Sequence, residues 1–247
     1  MVSAPIQLVV QRPRRHDREC GFTLVELMVV VSIIAMLFAI TIPAIRAARR
    51  SGGRAVCESN LHQFGVALSE HLREYKAYPV DGKHGFGMGA FLLPYVEQKQ
   101  LYQWLSPMIW QLPSDVDRKD LGGAVLPVFL CPNATSKTRT RAGLGRMSYV
   151  GTIYLFSKRM RETDVAGKTA FTIAAGEILA EHAWVLPGAA AATPPGQGGL
   201  FDSDHQGGAN FAMCDGSVHF ISGDIDPHVF AALCAVEKDG PPIGWIP

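Results

Sequence analysis

The chain has 247 residues, 48% of them hydrophobic, and its 23 Lys and Arg against 22 Asp and Glu leave a formal net charge of +1. That length holds a membrane helix plus one globular domain of about 190 residues. The near-zero charge, with no basic stripe beyond the flanks of the first apolar run, gives no footprint for nucleic-acid binding, and no nucleic-acid partner is expected.

Residues 1–21 form a basic leader with Arg12, Arg14, Arg15 and Arg18. Gly21-Phe22-Thr23-Leu24-Val25-Glu26 then opens an almost purely apolar run from Leu24 to Ile45. Residues 22–45 contain Glu26 as their only charge, and about 24 residues at about 1.5 Å each span about 36 Å as a helix, enough to cross a bilayer. A carboxylate inside such a segment costs a few kcal/mol unless it is paired or near an interface. Glu26 therefore asks for a positive partner, and a free amine at Phe22, created by a cut after Gly21, would supply one. Pro43 removes a backbone hydrogen bond and predicts a helix kink, with Thr41 and Ser32 available to satisfy the freed carbonyls.

A secretory signal peptide fits less well, because its apolar core is shorter and ends in a small-x-small site, whereas this run ends in Pro43-Ala-Ile-Arg-Ala-Ala-Arg-Arg50. Lipid attachment at Cys20 is disfavoured by Asp17, Arg18 and Glu19 before it. A plain signal anchor stays open, and Arg46, Arg49, Arg50 and Arg54 balance the four leader arginines, so arginine bias does not set the orientation. The segment Gly21 to Glu26 resembles the processing site of type IV prepilins and of type II secretion pseudopilins. That resemblance implies cleavage after Gly21 by a prepilin peptidase on the cytoplasmic side, methylation of the new amine at Phe22, and Glu26 at the fifth mature position. Pro43 matches a helix-bending proline common in pilins.

Leu61, Phe64, Leu68, Leu72 and Tyr75 recur at intervals of three and four, the apolar face of an amphipathic helix that continues the membrane segment over residues 46–78. Ser51-Gly52-Gly53 predicts a hinge within it, and Pro79 with Asp81-Gly82 predicts its end. The globular part is residues 79–247. There, His84-Gly-Phe-Gly-Met-Gly89 reads as a loop without the spacing of a phosphate-binding motif. Ala90 to Leu105 reads as a short helix with Pro94 in its first turn. Val125 to Leu130, Ser148 to Phe156 and Phe171 to Val185 read as strands, and Ala189 to Gly199 as an exposed loop. Asn210 to Cys214, Asp215-Gly216 and Ser217 to Ser222 predict a hairpin with a two-residue type I′ turn. In that register Met213 faces Val218 and Phe211 faces Phe220, all four on the packed face.

Of five cysteines, loss of the leader removes Cys20 and leaves Cys57, Cys131, Cys214 and Cys234, an even set suited to an oxidising compartment. Three pairings and four free buried thiols stay open; the preferred pair is Cys57 with Cys131, with Cys214 and Cys234 behind it.

His205, nine residues, then Asp215-Gly216 looks like the His-x9-Asp-Gly tail, here residues 205–216, of a large bacterial family of prepilin-type proteins whose C-terminal domain has no assigned activity. The resemblance also rests on Cys57 with Asn60-Leu61, Leu92-Leu93-Pro94-Tyr95, Phe129-Leu130-Cys131-Pro132, Ser148-Tyr149-Val150-Gly151 and Gly176-Glu177. The bland reading of the tail is a hydrogen bond by His205 across its loop and a turn made by Asp215. The sharper one is a cation, calcium above all, held by Asp202, Asp204 and Asp215 beside His205. Glu177, Glu181 and His182 lack the spacing of a zinc hydrolase, and no enzyme is expected.

The sequence thus predicts a pilin-like α+β fold, a long N-terminal apolar helix packed on a mainly antiparallel β-sheet domain. The expected role is a structural subunit of a type IV pilus or a type II secretion-like filament. Its partners would be the prepilin peptidase, the inner membrane and other pilin-like subunits met through the N-terminal helix. The N-terminus would be cytoplasmic and the domain periplasmic before extraction into the filament. A membrane-anchored exported binding protein that does not polymerise is the alternative.

Overall fold

The computed structural model describes residues 23–109, 121–134 and 138–236. The leader, Cys20, Gly21 and Phe22 lie outside the described residues. The fold is α+β, as expected, and the chain divides into two units, Met1–Ala47 and Ala48–Pro247.

Helix α1, Leu24–Tyr75, begins in the first unit. Its most apolar window has a mean hydropathy of 2.7, and none of that window is buried. It stays helical through Pro43, whose missing N–H leaves the carbonyl of Ala39 without its helical donor. The hydroxyl of Thr41 donates to the carbonyl of Leu37 at 2.7 Å and that of Ser32 to Val29 at 2.8 Å. Neither serves the freed carbonyl, contrary to the role expected for them.

In the second unit α1 runs unbroken through Ser51-Gly52-Gly53, so the expected hinge is absent. The structure gives Gly53 another reason: a Cβ there would lie 1.7 Å from Oδ1 of Asn133, whose amide donates to the carbonyl of Arg50 at 3.1 Å. Leu61, Phe64 and Leu68 are buried and Leu72 packs against the same core. Tyr75, counted with them by periodicity, stacks on His71 instead, ring centroids 4.7 Å apart, and is 49% exposed.

Four strands, β1 (Tyr149–Gly151), β2 (Ile173–Glu177), β3 (Gly208–Met213) and β4 (Val218–Ser222), form one antiparallel sheet in chain order. From its second residue on, β3 is buried throughout, because both of its faces are covered. On one face α1 lays Gly65 so close that a Cβ would sit 3.0 Å from Cα of Gly216, Nδ1 of His62 meets the carbonyl of Gly216 at 3.0 Å, and the guanidinium of Arg54 covers the ring of Phe220 at 3.9 Å. On the other, Phe211 meets Phe201 and Phe230 edge-on at 5.2 and 5.4 Å. Phe230 belongs to α4, Pro227–Cys234, whose first turn is capped by Asp226.

The hairpin forms, but not with the expected turn. A type I′ turn needs positive φ at both central residues; Gly216 alone in the turn has it, at 86°. The amide of Gly216 donates to the carbonyl of Met213 at 3.0 Å, and that of Met213 to Ser217 at 2.8 Å. This is a three-residue loop with a glycine bulge. The extra residue slips the register by one, so Asn210 pairs with Phe220, Phe211 with His219 and Ala212 with Val218. Phe211 and Phe220 therefore lie on opposite faces.

Other expectations yield for local reasons. Val125 to Leu130 is not a strand: Pro127–Phe129 makes a 3-10 turn, and Nδ2 of Asn60 takes the carbonyl of Leu130 at 2.9 Å. Beyond Gly151 the chain bonds to Ala190 instead of a strand and turns helical at Ile153–Phe156. β2 ends at Glu177, and the guanidinium of Arg146 serves the carbonyls of Leu179 and Ala180. Ala90 to Leu105 is divided between α2 (Met88–Leu92), a 3-10 turn containing Pro94, and α3 (Lys99–Ile109), with Glu97 at φ 61° in the break. The loop after Ala189 is not wholly exposed, since Ala190, Pro194 and Pro195 are buried.

Gly65→Val should lift the hairpin from α1 and destabilise the chain by about 1–3 kcal/mol; thermal unfolding in detergent micelles checks it, with Gln63→Val at an exposed position as the near-neutral control. Burial holds the imidazoles of His71 and His182 below the usual histidine range. The unfolded chain then binds more protons than the folded one just below the ordinary value of 6.5, so stability rises with pH there. Unfolding midpoints should fall from pH 7 to pH 5, and replacing both histidines with Gln should flatten the fall. Burial raises the carboxyl of Asp81, an effect of opposite sign that belongs to the more acid range.

Candidate functional site

Two groups of residues carry chemistry, one in each unit. In the first, Thr23 precedes α1 as its N-cap, and Glu26 stands three residues on. The backbone N–H and hydroxyl of Thr23 donate to Oε2 of Glu26 at 2.9 and 2.7 Å, while the amide of Glu26 donates back to the Thr23 hydroxyl at 3.2 Å. This reciprocal capping box satisfies otherwise orphaned donors of the first turn. The described partner of Glu26 is thus a threonine rather than an amine. The Thr-x-x-Glu spacing was the signal for it in the sequence.

The second group lies at the inner end of the tail. Glu177 closes β2 with its side chain 2% exposed, opposite Tyr149 of β1. Its Oε1 lies 3.1 Å from Nε2 of His205. Its Oε2 accepts from the backbone N–H of Asn210 at 2.7 Å and from Nδ2 of the same residue at 3.2 Å. The second ring nitrogen, Nδ1, lies 3.4 Å from Nδ2 of Asn133. Since an amide nitrogen only donates and a carboxylate only accepts, the neutral tautomer with its proton on Nε2 satisfies both contacts. The loop holding His205 is fixed by Ser203, whose hydroxyl donates to Gly208 at 2.7 Å and accepts from the amide of His205 at 3.0 Å.

A disulfide joins Cys57 of α1 to Cys131, with Cα atoms 5.2 Å apart, and Sγ of Cys131 lies 3.7 Å from Nε2 of His205. Cys214 and Cys234 are free and buried and do not pair; burial pushes the Cys214 thiol up to about 12, which leaves it inert at neutral pH.

The His-x9-Asp-Gly tail therefore works at two separated places. His205 contacts Glu177 before β3, and Asp215 at the far end accepts from the amide and hydroxyl of Ser217 at 2.9 and 2.7 Å. Asp202, a calcium candidate with Asp204 and Asp215, accepts from the amide of Ser203 at 2.8 Å. Among the described residues, one group of Cys, His, Asp and Glu ligand atoms is close enough to share an ion: Cys57, Cys131, Glu177 and His205, all within 4.8 Å of one another and all buried. Gly-Glu and the tail histidine were visible in the sequence as separate motifs; nothing in their spacing shows that they meet. Glu181 pairs with Arg141 at 3.7 Å, and His182 packs on Gly188.

Glu177→Ala should remove both the histidine's acceptor and the anchor of Asn210. Leaving the buried donors of a neutral His205 and of Asn210 without their acceptor costs about 1–3 kcal/mol each, read as a lower denaturant midpoint, and Glu177→Gln, which keeps an oxygen acceptor, should lose less.

A family model described as a protein of unknown function, DUF1559, matches residues 46–175 and 174–228. A second model, the prokaryotic N-terminal methylation motif, matches residues 16–42. No curated protein and no solved structure matches the chain.

Proposed function

The chain belongs to the DUF1559 family, and from that membership and its N-terminal methylation motif we propose that it is a pilin-like subunit of a type IV pilus or a type II secretion-like filament. The methylation motif carries prepilin-type N-terminal processing and a pilin-like mode of assembly. In the proposed sequence of events the prepilin peptidase cuts after Gly21 and the new amine of Phe22 is methylated. The single apolar helix holds the subunit in the inner membrane, N-terminus cytoplasmic and domain periplasmic, until it is drawn into a filament. The role is structural and not catalytic.

The observation that supports this most is the uncovered half of α1. Fifteen large apolar side chains from Leu24 to Ile45 are 46 to 70% exposed. Burying such a side chain fully is worth about 1.5–3 kcal/mol, so even half of that sums to on the order of 15 kcal/mol, as much as the whole stability of a typical domain at about 5–15 kcal/mol. Lipid first and neighbouring helices later provide the cover. Glu26, held by Thr23 in the uncut chain, would exchange that partner for an N-terminal amine of its own or a neighbouring subunit.

A second reading, an anchored exported binding protein that does not polymerise, is favoured by a cavity of about 180 Å³ lined by Tyr75, Tyr95, Tyr102, Phe91, Lys83 and Arg159. Aromatic rings with a few polar groups suit a sugar or a peptide.

Mass spectrometry of the membrane-extracted chain should find N-methyl-Phe22 as the first residue; an intact Met1 or a cut near Ala47 would overturn the processing step. Glu26→Val should still be cut but should be lost from sheared filament fractions, and its normal incorporation would favour the anchored reading.

A further inference from the structure

We propose that Cys57, Cys131, Glu177 and His205 form a zinc site when the disulfide between the two cysteines is reduced, so that a disulfide and a Zn²⁺ ion are alternative closures of the same junction. The four residues come from four places in the chain: α1, the segment after the Pro127–Phe129 turn, the end of β2 and the loop before β3. Their ligand atoms already lie within 4.8 Å of one another.

The distances fit a tetrahedral ion. With zinc bonds of about 2.3 Å to sulfur and about 2.0–2.1 Å to nitrogen and oxygen, the edges of the tetrahedron are about 3.6 Å for nitrogen to sulfur and about 3.3 Å for nitrogen to oxygen. The structure has 3.7 Å between Nε2 of His205 and Sγ of Cys131, and 3.1 Å between the same nitrogen and Oε1 of Glu177. The two edges that meet at His205 thus have tetrahedral lengths, and the remaining ligand atoms lie within 4.8 Å of one another. The fourth ligand, Cys57, must have its sulfur released from Cys131 and moved to about 3.8 Å from it, the sulfur–sulfur edge for zinc bonds of about 2.3 Å.

The donors select the metal. Two thiolates and an imidazole are the ligands of zinc and its softer neighbours, whereas calcium and magnesium take oxygen. A surrounding shell is present as well. Asn210 holds Oε2 of Glu177 with two hydrogen bonds, which leaves Oε1 to bind as a single oxygen. His205 would bind through Nε2, so its proton moves to Nδ1. Asn133, which now presents Nδ2 to that atom, then turns its amide to accept through Oδ1, giving up its hydrogen bond to the carbonyl of Arg50.

The chemistry balances with a dithiol as reductant. Thiol exchange breaks the bond between Cys57 and Cys131, the reductant leaves as its own disulfide, and two electrons and two protons pass to the two cysteine sulfurs. Zinc then displaces both thiol protons, and the proton on Nε2 gives way to the metal as Nδ1 takes one up. While the sulfurs are bonded to each other they cannot act as thiolate ligands, which makes the two states exclusive. Exchange with a small-molecule disulfide, which takes the two electrons back, takes two protons from solvent and leaves as its dithiol, would expel the ion and restore the disulfide.

The test uses the full chain in detergent micelles, oxidised or reduced with a dithiol that is then removed, and titrated with Zn²⁺ and separately with Co²⁺. The reduced chain should retain about one zinc per molecule after desalting, and the oxidised chain none. Cobalt should show tetrahedral ligand-field bands with thiolate charge transfer. Glu177→Gln should weaken binding at least tenfold, and Cys131→Ser should abolish the charge-transfer signature of two thiolates. Cys20→Ser with Cys214→Ser and Cys234→Ser should bind zinc as the parent does, which separates the site from the remaining thiols. Equal zinc retention by oxidised and reduced chains, a cobalt spectrum without thiolate bands, or binding that follows Cys20, Cys214 and Cys234 would overturn the proposal.

Discussion

A single helix forms one wall of the globular core and also displays an apolar surface that the described residues leave uncovered. Over Cys57 to His71, α1 contributes buried residues including Leu61, Phe64 and Leu68; over Leu24 to Ile45 every residue is exposed. The first stretch is an ordinary amphipathic face against a sheet. The second is apolar all round, which is the pattern of a segment meant for lipid or for other helices. The remaining features follow from that division: a cap at the start of the helix to satisfy its first amides, and close contacts of its second half to hold the domain.

Those contacts explain several residues by what they touch. Gly53 admits Asn133 and Gly65 admits the hairpin turn at Gly216, so glycines that should weaken a helix by about 1 kcal/mol each permit close docking. The disulfide adds a covalent tie between α1 and the segment that also presents Asn133. The tail motif reads in the same way. β3 has six residues, about 20 Å of extended chain. The nine residues between His205 and Asp215 are β3, two residues before it and one after it. The spacing therefore measures the distance between an anchor on Glu177 and a turn that docks on α1.

The sequence made the elements that depend on local pattern legible. The apolar run, the amphipathic continuation and the hairpin could be read from length, periodicity and Asp-Gly. What it concealed depends on three-dimensional neighbours. The hairpin register turned on whether Asp215 or only Gly216 takes positive φ, a difference of one residue that exchanges the faces of Phe211 and Phe220. The apparent strand at Val125 to Leu130 was undone by the amide of Asn60, and the extension of β2 by Arg146. Glu177 and His205, 28 residues apart, are brought together by the antiparallel pairing of β2 with β3 and by the amide of Asp202, which donates to the carbonyl of Glu177. The capping box at Thr23 and Glu26 was legible from its Thr-x-x-Glu spacing.

Residues 24–45 need a cover that the described residues do not supply. Single cysteines in place of Val31, Ile34 and Phe38, compared with one in place of the exposed Lys158, can be probed in intact membranes with a water-soluble maleimide. The account predicts that the three helix positions stay unlabelled while position 158 reacts once the outer face is opened. Labelling along the whole run as fast as at position 158 would contradict it.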